Sequence, residues 1–416
     1  MSTRHLRDRW TGRRRKLVVI GAGMASGRML DHLFRMAPDA YHVTLFGAEP
    51  RVNYNRIMLS PVLAGEAAFD DIVTHDTAWY AEHGVACRFG ETVTRIDRAA
   101  KTVHSRNGET PYDKLVIATG STPFIIPVAG KELQNVYSFR DLDDVNAMLA
   151  VAAKPGMNVV VLGGGLLGLE AAAALRARGM QVAVLHLMGH LMERQLDPTA
   201  AQMLQRWLEA RGVEVHCRAQ TTAILGHKRA EAVLLDDGRI FPADLVVMAT
   251  GIRPETRIAT DAGLTIARGI VVDDQTRTSD PDIHAVGECA EHDGVCYGFV
   301  EPLYDMAAVA AAVMLGQAGS FRPVQFGTNL KVTGVNVFSA GDFVGAAGTE
   351  QIKYSDPGRG AYKKLVIADG RLVGVVLFGD TADGPWYLDL IRSGAVIEPF
   401  RNDIIFGRAL AEQQAA

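Results

Sequence analysis

Cysteine is scarce in this chain of 416 residues: Cys87, Cys217, Cys289 and Cys296 are scattered, and none forms a CxxC pair. That excludes a disulfide scaffold, whose cysteines are dense and regularly spaced, and fits a reducing compartment. Cys289 and Cys296 lack a second pair at metal-site spacing, so they read as ordinary thiols and no metal site is expected. Long apolar runs are missing as well. The longest, residues 307–315, falls well short of the roughly 18 residues that a bilayer span requires, and reads as a helix buried inside the protein. These absences together predict a cytoplasmic protein with no membrane association.

Hydrophobic residues make up 48% and charged residues 22% of the chain, the balance of an ordinary globular protein. The length suggests several domains rather than one core. Positive charge is concentrated at the start, where Arg4, Arg7, Arg9, Arg13, Arg14, Arg15 and Lys16 face Asp8 alone, so the body is acidic within a net charge of −4. The tail has no interleaved aromatic ladder, and the apolar residues after it already read as a strand. Residues 1–15 are therefore expected to be a solvated, disordered tail, with no nucleic-acid partner.

Two segments share one grammar. The first runs Lys16-Leu-Val-Val-Ile-Gly-Ala-Gly-Met-Ala-Ser-Gly, a β-branched strand entering a glycine turn, followed by a helix to about Met36, a strand over residues 42–46 and then Glu49. The second runs Asn158-Val-Val-Val-Leu-Gly-Gly-Gly-Leu-Leu-Gly-Leu-Glu, with an alanine-rich helix to Arg178 and a strand over residues 181–185. Each is the opening of a Rossmann βαβ unit. Each is echoed later by an apolar strand running into Ala-Thr-Gly, at residues 112–120 and 243–251. A third motif, residues 278–289, places Gly287 and Glu288 after a short strand, and an alanine-rich helix is expected to begin at Pro302. Beyond Gly316 the texture changes to strands over residues 330–338, 362–367 and 372–378, a hairpin turn at Ala368-Asp-Gly and a helix from about Trp386 to Ser393. The expected architecture is α/β, with two Rossmann-like dinucleotide-binding domains, a discontinuous one over residues 16–125 and 250–318 and another over 126–249. A small α+β domain over 319–416 follows.

In the first fingerprint Gly21 permits the tight turn and Gly23 lets the backbone approach a pyrophosphate, which would rest on the amides of the helix start. The third glycine position is Ser26, still small enough for helix and strand to pack closely. Glu49 is placed to accept from an adenosine ribose. In the second fingerprint Gly163, Gly165 and Gly168 are all present, but the strand ends in His186 rather than an acid. No arginine follows at once to hold a 2′-phosphate, which favours NADH while leaving NADPH possible. Met24 and Met188 read as packing residues.

Taken together, the two fingerprints, the paired Ala-Thr-Gly strands and the glycine-acid motif resemble the two-dinucleotide flavoprotein superfamily of pyridine-nucleotide oxidoreductases, over residues 15–318. The resemblance implies FAD at the first site and a nicotinamide nucleotide at the second. It implies that Glu288, where most relatives have Asp, bonds the ribityl chain, and that Arg56 approaches the FAD pyrophosphate. It also places Val93, Thr119, Gly120, Pro302 and Leu303 around the flavin nucleotide, Gly251 around a bound cofactor, and Glu170 near the nicotinamide as the catalytic candidate. The amide end of the helix expected at Pro302 would supply positive potential to a reduced flavin.

Disulfide reductases of that superfamily carry CxxxxC after the first Rossmann unit, whereas the stretch here, Arg51-Val-Asn-Tyr-Asn-Arg-Ile-Met-Leu-Ser, has no cysteine. Electrons would leave the flavin without a disulfide relay. Ferredoxin-type reductases follow the Leu-Ser with Lys, but here Pro61 follows. This segment resembles the flavoprotein part of NAD(P)H-dependent assimilatory nitrite and nitrate reductases. So do Leu191-Met-Glu-Arg-Gln-Leu-Asp, Ala285-Val-Gly-Glu-Cys-Ala-Glu-His with Tyr297-Gly, and Tyr362-Lys-Lys-Leu-Val. The cysteine-rich iron–sulfur and sirohaem portions of those enzymes have no counterpart here. The resemblance therefore implies an electron-transfer subunit serving a metal-containing partner, either a nitrate or nitrite reductase catalytic subunit or a rubredoxin or ferredoxin. A flavin- and NAD-binding regulatory protein without turnover is the alternative from a different class.

Overall fold

β-Branched and leucine-rich runs build both principal sheets. The computed structural model describes residues 14–323, 325–332 and 334–414, so nearly all of the basic tail lies outside the described residues. Two compact units divide the chain. One comprises residues up to Met58 with Ala67–Thr122 and Ile252–Pro323; the other comprises Leu59–Glu66, Pro123–Gly251 and the residues from 324 onward.

In the first unit a five-stranded parallel sheet has the order Ile283–Ala285, Lys114–Ile117, Arg15–Ile20, Tyr41–Gly47, Ala86–Phe89. The inner strands are buried on both faces, as parallel strands between helices must be, and Leu17, Val19, Leu45, Leu115 and Ile117 are fully buried. In the second unit the order is Val136–Ser138, Leu245–Met248, Asn158–Leu162, Gln181–His186, Val213–Cys217, again all parallel. In both sheets the strand entering the glycine turn is central. The chain order reverses there, at the switch point where open α/β sheets bind ligands.

The second unit also carries a five-stranded antiparallel sheet, in the order Gly327–Val332, Val335–Gly341, Arg371–Phe378, Ala361–Ala368, Glu350–Asp356. The helix Gly384–Ser393 covers it, and Tyr387 is buried with Phe338, Leu365 and Leu377. The strand expected over residues 330–338 is instead a hairpin, turned at Gly334 with φ +95°. The turn at Ala368-Asp-Gly does join two strands. Asp369 and Gly370 both take positive φ, as a type I′ turn demands.

This sheet is tied to the rest of its unit by a buried polar contact. Asp197 caps the helix Pro198–Glu209 by accepting from the Ala200 amide at 3.0 Å, and also accepts from the Tyr362 hydroxyl at 2.7 Å. Asp197→Ala should cost about 2–4 kcal/mol, from the lost cap, the lost hydrogen bond of the Tyr362 hydroxyl and the loss of the carboxylate 3.9 Å from buried Lys364. Tyr362→Phe, which removes one hydrogen bond only, should cost about 1 kcal/mol. Urea unfolding midpoints of the two variants check both figures.

Candidate dinucleotide sites

The glycine turns are alike in detail. Gly21 has φ +110°, and a Cβ there would stand 2.1 Å from the Ala118 carbonyl oxygen; Gly163 has φ +120°, with the Ala249 carbonyl oxygen at 2.3 Å. Only glycine satisfies both the dihedral and the close approach. The next fingerprint glycines face the opposite situation. Around a Cβ built on Gly23 or Gly165 nothing lies within 4 Å.

Each of these open glycines is the N-cap of a helix, Met24–Met36 and Leu166–Ala177 respectively. Neither helix start has a side-chain cap or an acid in its first turn. Elsewhere Asp76, Asp141 and Asp197 each cap a helix with a carboxylate. The two fingerprint helices thus leave their first amides and the positive end of the dipole directed at open space, which fits an anionic pyrophosphate.

Ser26 and Gly168 lie behind the turns rather than in front of them. Ser26 is fully buried and donates to the Gly23 carbonyl at 2.8 Å, while a Cβ on Gly168 would meet the Gly163 carbonyl oxygen at 2.1 Å. Asn53, not singled out from sequence, donates from Nδ2 to the same Gly23 oxygen at 2.7 Å, and its Oδ1 accepts from the Tyr80 hydroxyl. Its contribution is invisible in the motif because the segment that carries it is remote from the turn.

Glu49 and Arg56 form an ion pair, and Glu49 also accepts from the Tyr54 hydroxyl at 2.7 Å. Thr119 donates to the Glu255 carbonyl at 2.7 Å, and Gly120 takes φ +70°. Glu288 accepts from Ser121 at 2.7 Å and follows Gly287, whose φ is +89°. Val93 is buried in the strand Val93–Asp97. The helix expected to begin at Pro302 starts earlier, at Val300. Pro302 and Leu303 are buried and Glu301 occupies the first turn, where it offsets part of the helix's own positive end.

In the second unit Gly251 has φ +114°. Glu170 accepts from the Ser60 hydroxyl at 2.6 Å. Burial pushes its carboxyl above the usual carboxylate range, and the Ser60 hydrogen bond pulls more weakly the other way. His186 is buried at its strand end. Met188, read from sequence as packing, is exposed together with Leu187.

Gly165→Ala should change stability by less than about 1 kcal/mol yet weaken nucleotide binding, because the new methyl fills only the open cradle. Gly163→Ala should destabilise the fold itself by about 2 kcal/mol or more. Calorimetric melting and nucleotide titration of both variants separate the effects. For Glu170, a raised folded-state pKa means that the unfolded chain ionises first as pH rises. Its cost is therefore absent well below the unfolded value, grows above it and levels off beyond the folded one. Glu170→Gln should melt above the wild type at neutral pH, and the difference should vanish in acid.

Comparison with known proteins agrees with this geometry. Residues 15–316 match the family described as pyridine nucleotide-disulphide oxidoreductase, and residues 327–395 match the rubredoxin NAD+ reductase C-terminal domain. A nitrite reductase [NAD(P)H] of Bacillus subtilis is 45% identical over 92% of this chain and 48% of its own length. The assimilatory nitrate reductase electron transfer subunit of the same organism is 40% identical over 94% of this chain and 51% of its own. The chain thus spans about half the length of these relatives. A ferredoxin reductase structure from Rhodopseudomonas palustris superposes with a TM-score of 0.84 at 25% identity, covering 97% of this chain and 100% of that one. The two switch-point sheets, their uncapped glycine-turn helices and the match over residues 15–316 lead to one assignment: the chain belongs to the pyridine nucleotide-disulphide oxidoreductase family.

Proposed function

We propose that this chain takes electrons from NADH and delivers them, through bound FAD, to a separate metal-containing redox protein of cytoplasmic nitrate or nitrite reduction. The observation that carries this reading is the pair of uncapped helix starts at Gly23 and Gly165, each with open space within 4 Å of where a side chain would begin. FAD, when bound, supplies acceptance of a hydride and release of its electrons one at a time. The protein's part is to hold and polarise.

In this reading, residues 16–125 with 250–318 form the FAD domain. Gly21, Gly23 and Ser26 shape the pyrophosphate cradle, and Glu49, steadied by Tyr54 and Arg56, receives the adenosine ribose. Val93, Thr119, Gly120, Gly287, Glu288, Pro302 and Leu303 bound the rest of the flavin nucleotide. Residues 126–249 form the nicotinamide-nucleotide domain, with Gly163, Gly165, Gly168 and His186 forming its turn and Gly251 at the following boundary. Glu170, whose carboxyl burial pushes above the usual carboxylate range and which accepts from Ser60, is the group that orients the nicotinamide. The segment Arg51-Val-Asn-Tyr-Asn-Arg-Ile-Met-Leu-Ser has no cysteine to accept electrons, which supports direct export to a partner. The names of the Bacillus subtilis relatives support nitrate or nitrite reduction as the destination.

The C-terminal residues 319–416 support a second destination. Their match to a rubredoxin NAD+ reductase domain suits a small rubredoxin or ferredoxin acceptor. Anaerobic mixing of the FAD-loaded protein with NADH, followed by a one-electron dye, should bleach the flavin and then reduce the dye. A flavin that binds but stays oxidised would identify a binding protein without turnover. Replacing the dye with a purified nitrate or nitrite reductase catalytic subunit should sustain NADH oxidation at rates that a rubredoxin does not match; the reverse ranking would move the assignment to the second destination.

A further inference from the structure

The second glycine turn differs from the first in its middle residue, Gly164 where the first has Ala22, and the structure shows why. A Cβ on Gly164 would stand 2.6 Å from Leu191 Cδ2 and 2.8 Å from the His186 ring. The loop after the strand Gln181–His186 folds back onto this turn and grips the Gly164 residue from both sides. The Gly164 amide donates to His186 Nδ1 at 3.0 Å, and the Gly164 carbonyl accepts from the Met192 amide at 3.0 Å. Leu191 and Met192 are buried, and Met192 holds φ +49°, so the return of the loop is locked.

The lock has a chemical result. Because Nδ1 accepts from the Gly164 amide, the imidazole hydrogen sits on Nε2, which donates to Glu193 Oε2 at 3.1 Å. The histidine side chain is 9% exposed and the Glu193 side chain 31% exposed. A partly solvated carboxylate is thereby held one hydrogen bond beyond the strand end, where dinucleotide folds place the acid that receives the adenosine ribose. Leu187 and Met188 form an exposed apolar ledge on the same loop. Arg218 borders it too. Its amide donates to the Met188 carbonyl, and its Nε lies 3.7 Å from where a Gly189 Cβ would stand.

Resting on the reading of this turn as the nicotinamide-nucleotide site, we infer that Glu193, carried by His186, is the specificity-determining residue that accepts from the ribose hydroxyls of NADH and repels the 2′-phosphate of NADPH. His186 is then a positioning residue. Arg218 is the cation that a 2′-phosphate would use, and the Glu193 charge counters it.

The test is Glu193→Gln, an isosteric change at a partly exposed position that keeps an acceptor for His186 and removes the charge. Equilibrium binding of NAD+ and NADP+ to the FAD-loaded protein is measured by calorimetry, and KM and kcat for NADH and NADPH are measured with ferricyanide as acceptor. The wild type should favour the non-phosphorylated nucleotide. The variant should narrow that preference roughly tenfold, in KM and in binding, with kcat nearly unchanged. A Glu193→Asp variant should retain most of the preference. A Gln variant whose preference is unmoved while both nucleotides still bind overturns the role of Glu193 and leaves the proposed function standing; a wild type that prefers NADP+ overturns the role of Glu193 and the choice of NADH as donor, but not electron transfer through FAD. Failure of either nucleotide to bind the wild type overturns both.

Discussion

Amide groups at a helix start must find acceptors, and at the helices that begin after Asp76, Asp141 and Asp197 a carboxylate supplies one within the chain. At Gly23 and Gly165 it does not. The turns before these helices are built around carbonyl contacts so close that the glycine has no room for a side chain, and the helices then begin without caps. The exposed donors are the constraint on which the remaining arrangement depends: strand order, turn conformation and the small residues behind each turn all serve to present them. A protein with no anion to receive would gain stability by capping both helix starts with Asp, as at Asp76, Asp141 and Asp197.

The same backbone frame is used twice with different finishing. At the first turn the acid near the following strand, Glu49, is local in sequence and is steadied by Tyr54 and Arg56. At the second turn the strand ends in a histidine whose ring is absorbed into the turn itself, and a carboxylate returns from the loop beyond it. Two solutions to one geometric task are expected when the frame dictates where a group must be but not which part of the chain supplies it.

The antiparallel module shows how buried polar groups can fasten one layer to another. Tyr362 and Lys364 alternate with Lys363 along one strand, so neighbouring residues point to opposite faces. Lys363 pairs with Asp380 at 2.9 Å, and Tyr362 meets Asp197 on the other side. Burial lowers the tendency of Lys364 to hold its proton, with Asp197 at 3.9 Å opposing that shift. The Tyr-Lys-Lys run is explained as a fastening of this sheet to the cap of the helix Pro198–Glu209.

Local rules made much of this protein legible before any coordinates. Gly21 and Gly163 declare themselves because a tight turn after a β-branched strand leaves no other residue possible, Gly23 and Gly165 because the fingerprint spacing puts them at an open helix start, and the α/β class with its added α+β module follows from hydrophobic period and turn chemistry. The helix begins at Val300 rather than at Pro302, since proline is accommodated within a first turn and does not mark its first residue. The hairpin at Gly334 is hidden in the sequence because β-branched residues flank the turn on both sides and continue the strand pattern across it. What only the tertiary structure decided were the partnerships: Asn53 on the Gly23 carbonyl, Ser60 on Glu170, and Glu193 behind His186. Each joins residues that no periodicity relates, through a hydrogen bond whose direction depends on where a loop returns. Sequence alone determined which backbone has the form of a dinucleotide turn, because that is a matter of steric allowance residue by residue; which side chains pack around each turn was settled by chain return in space.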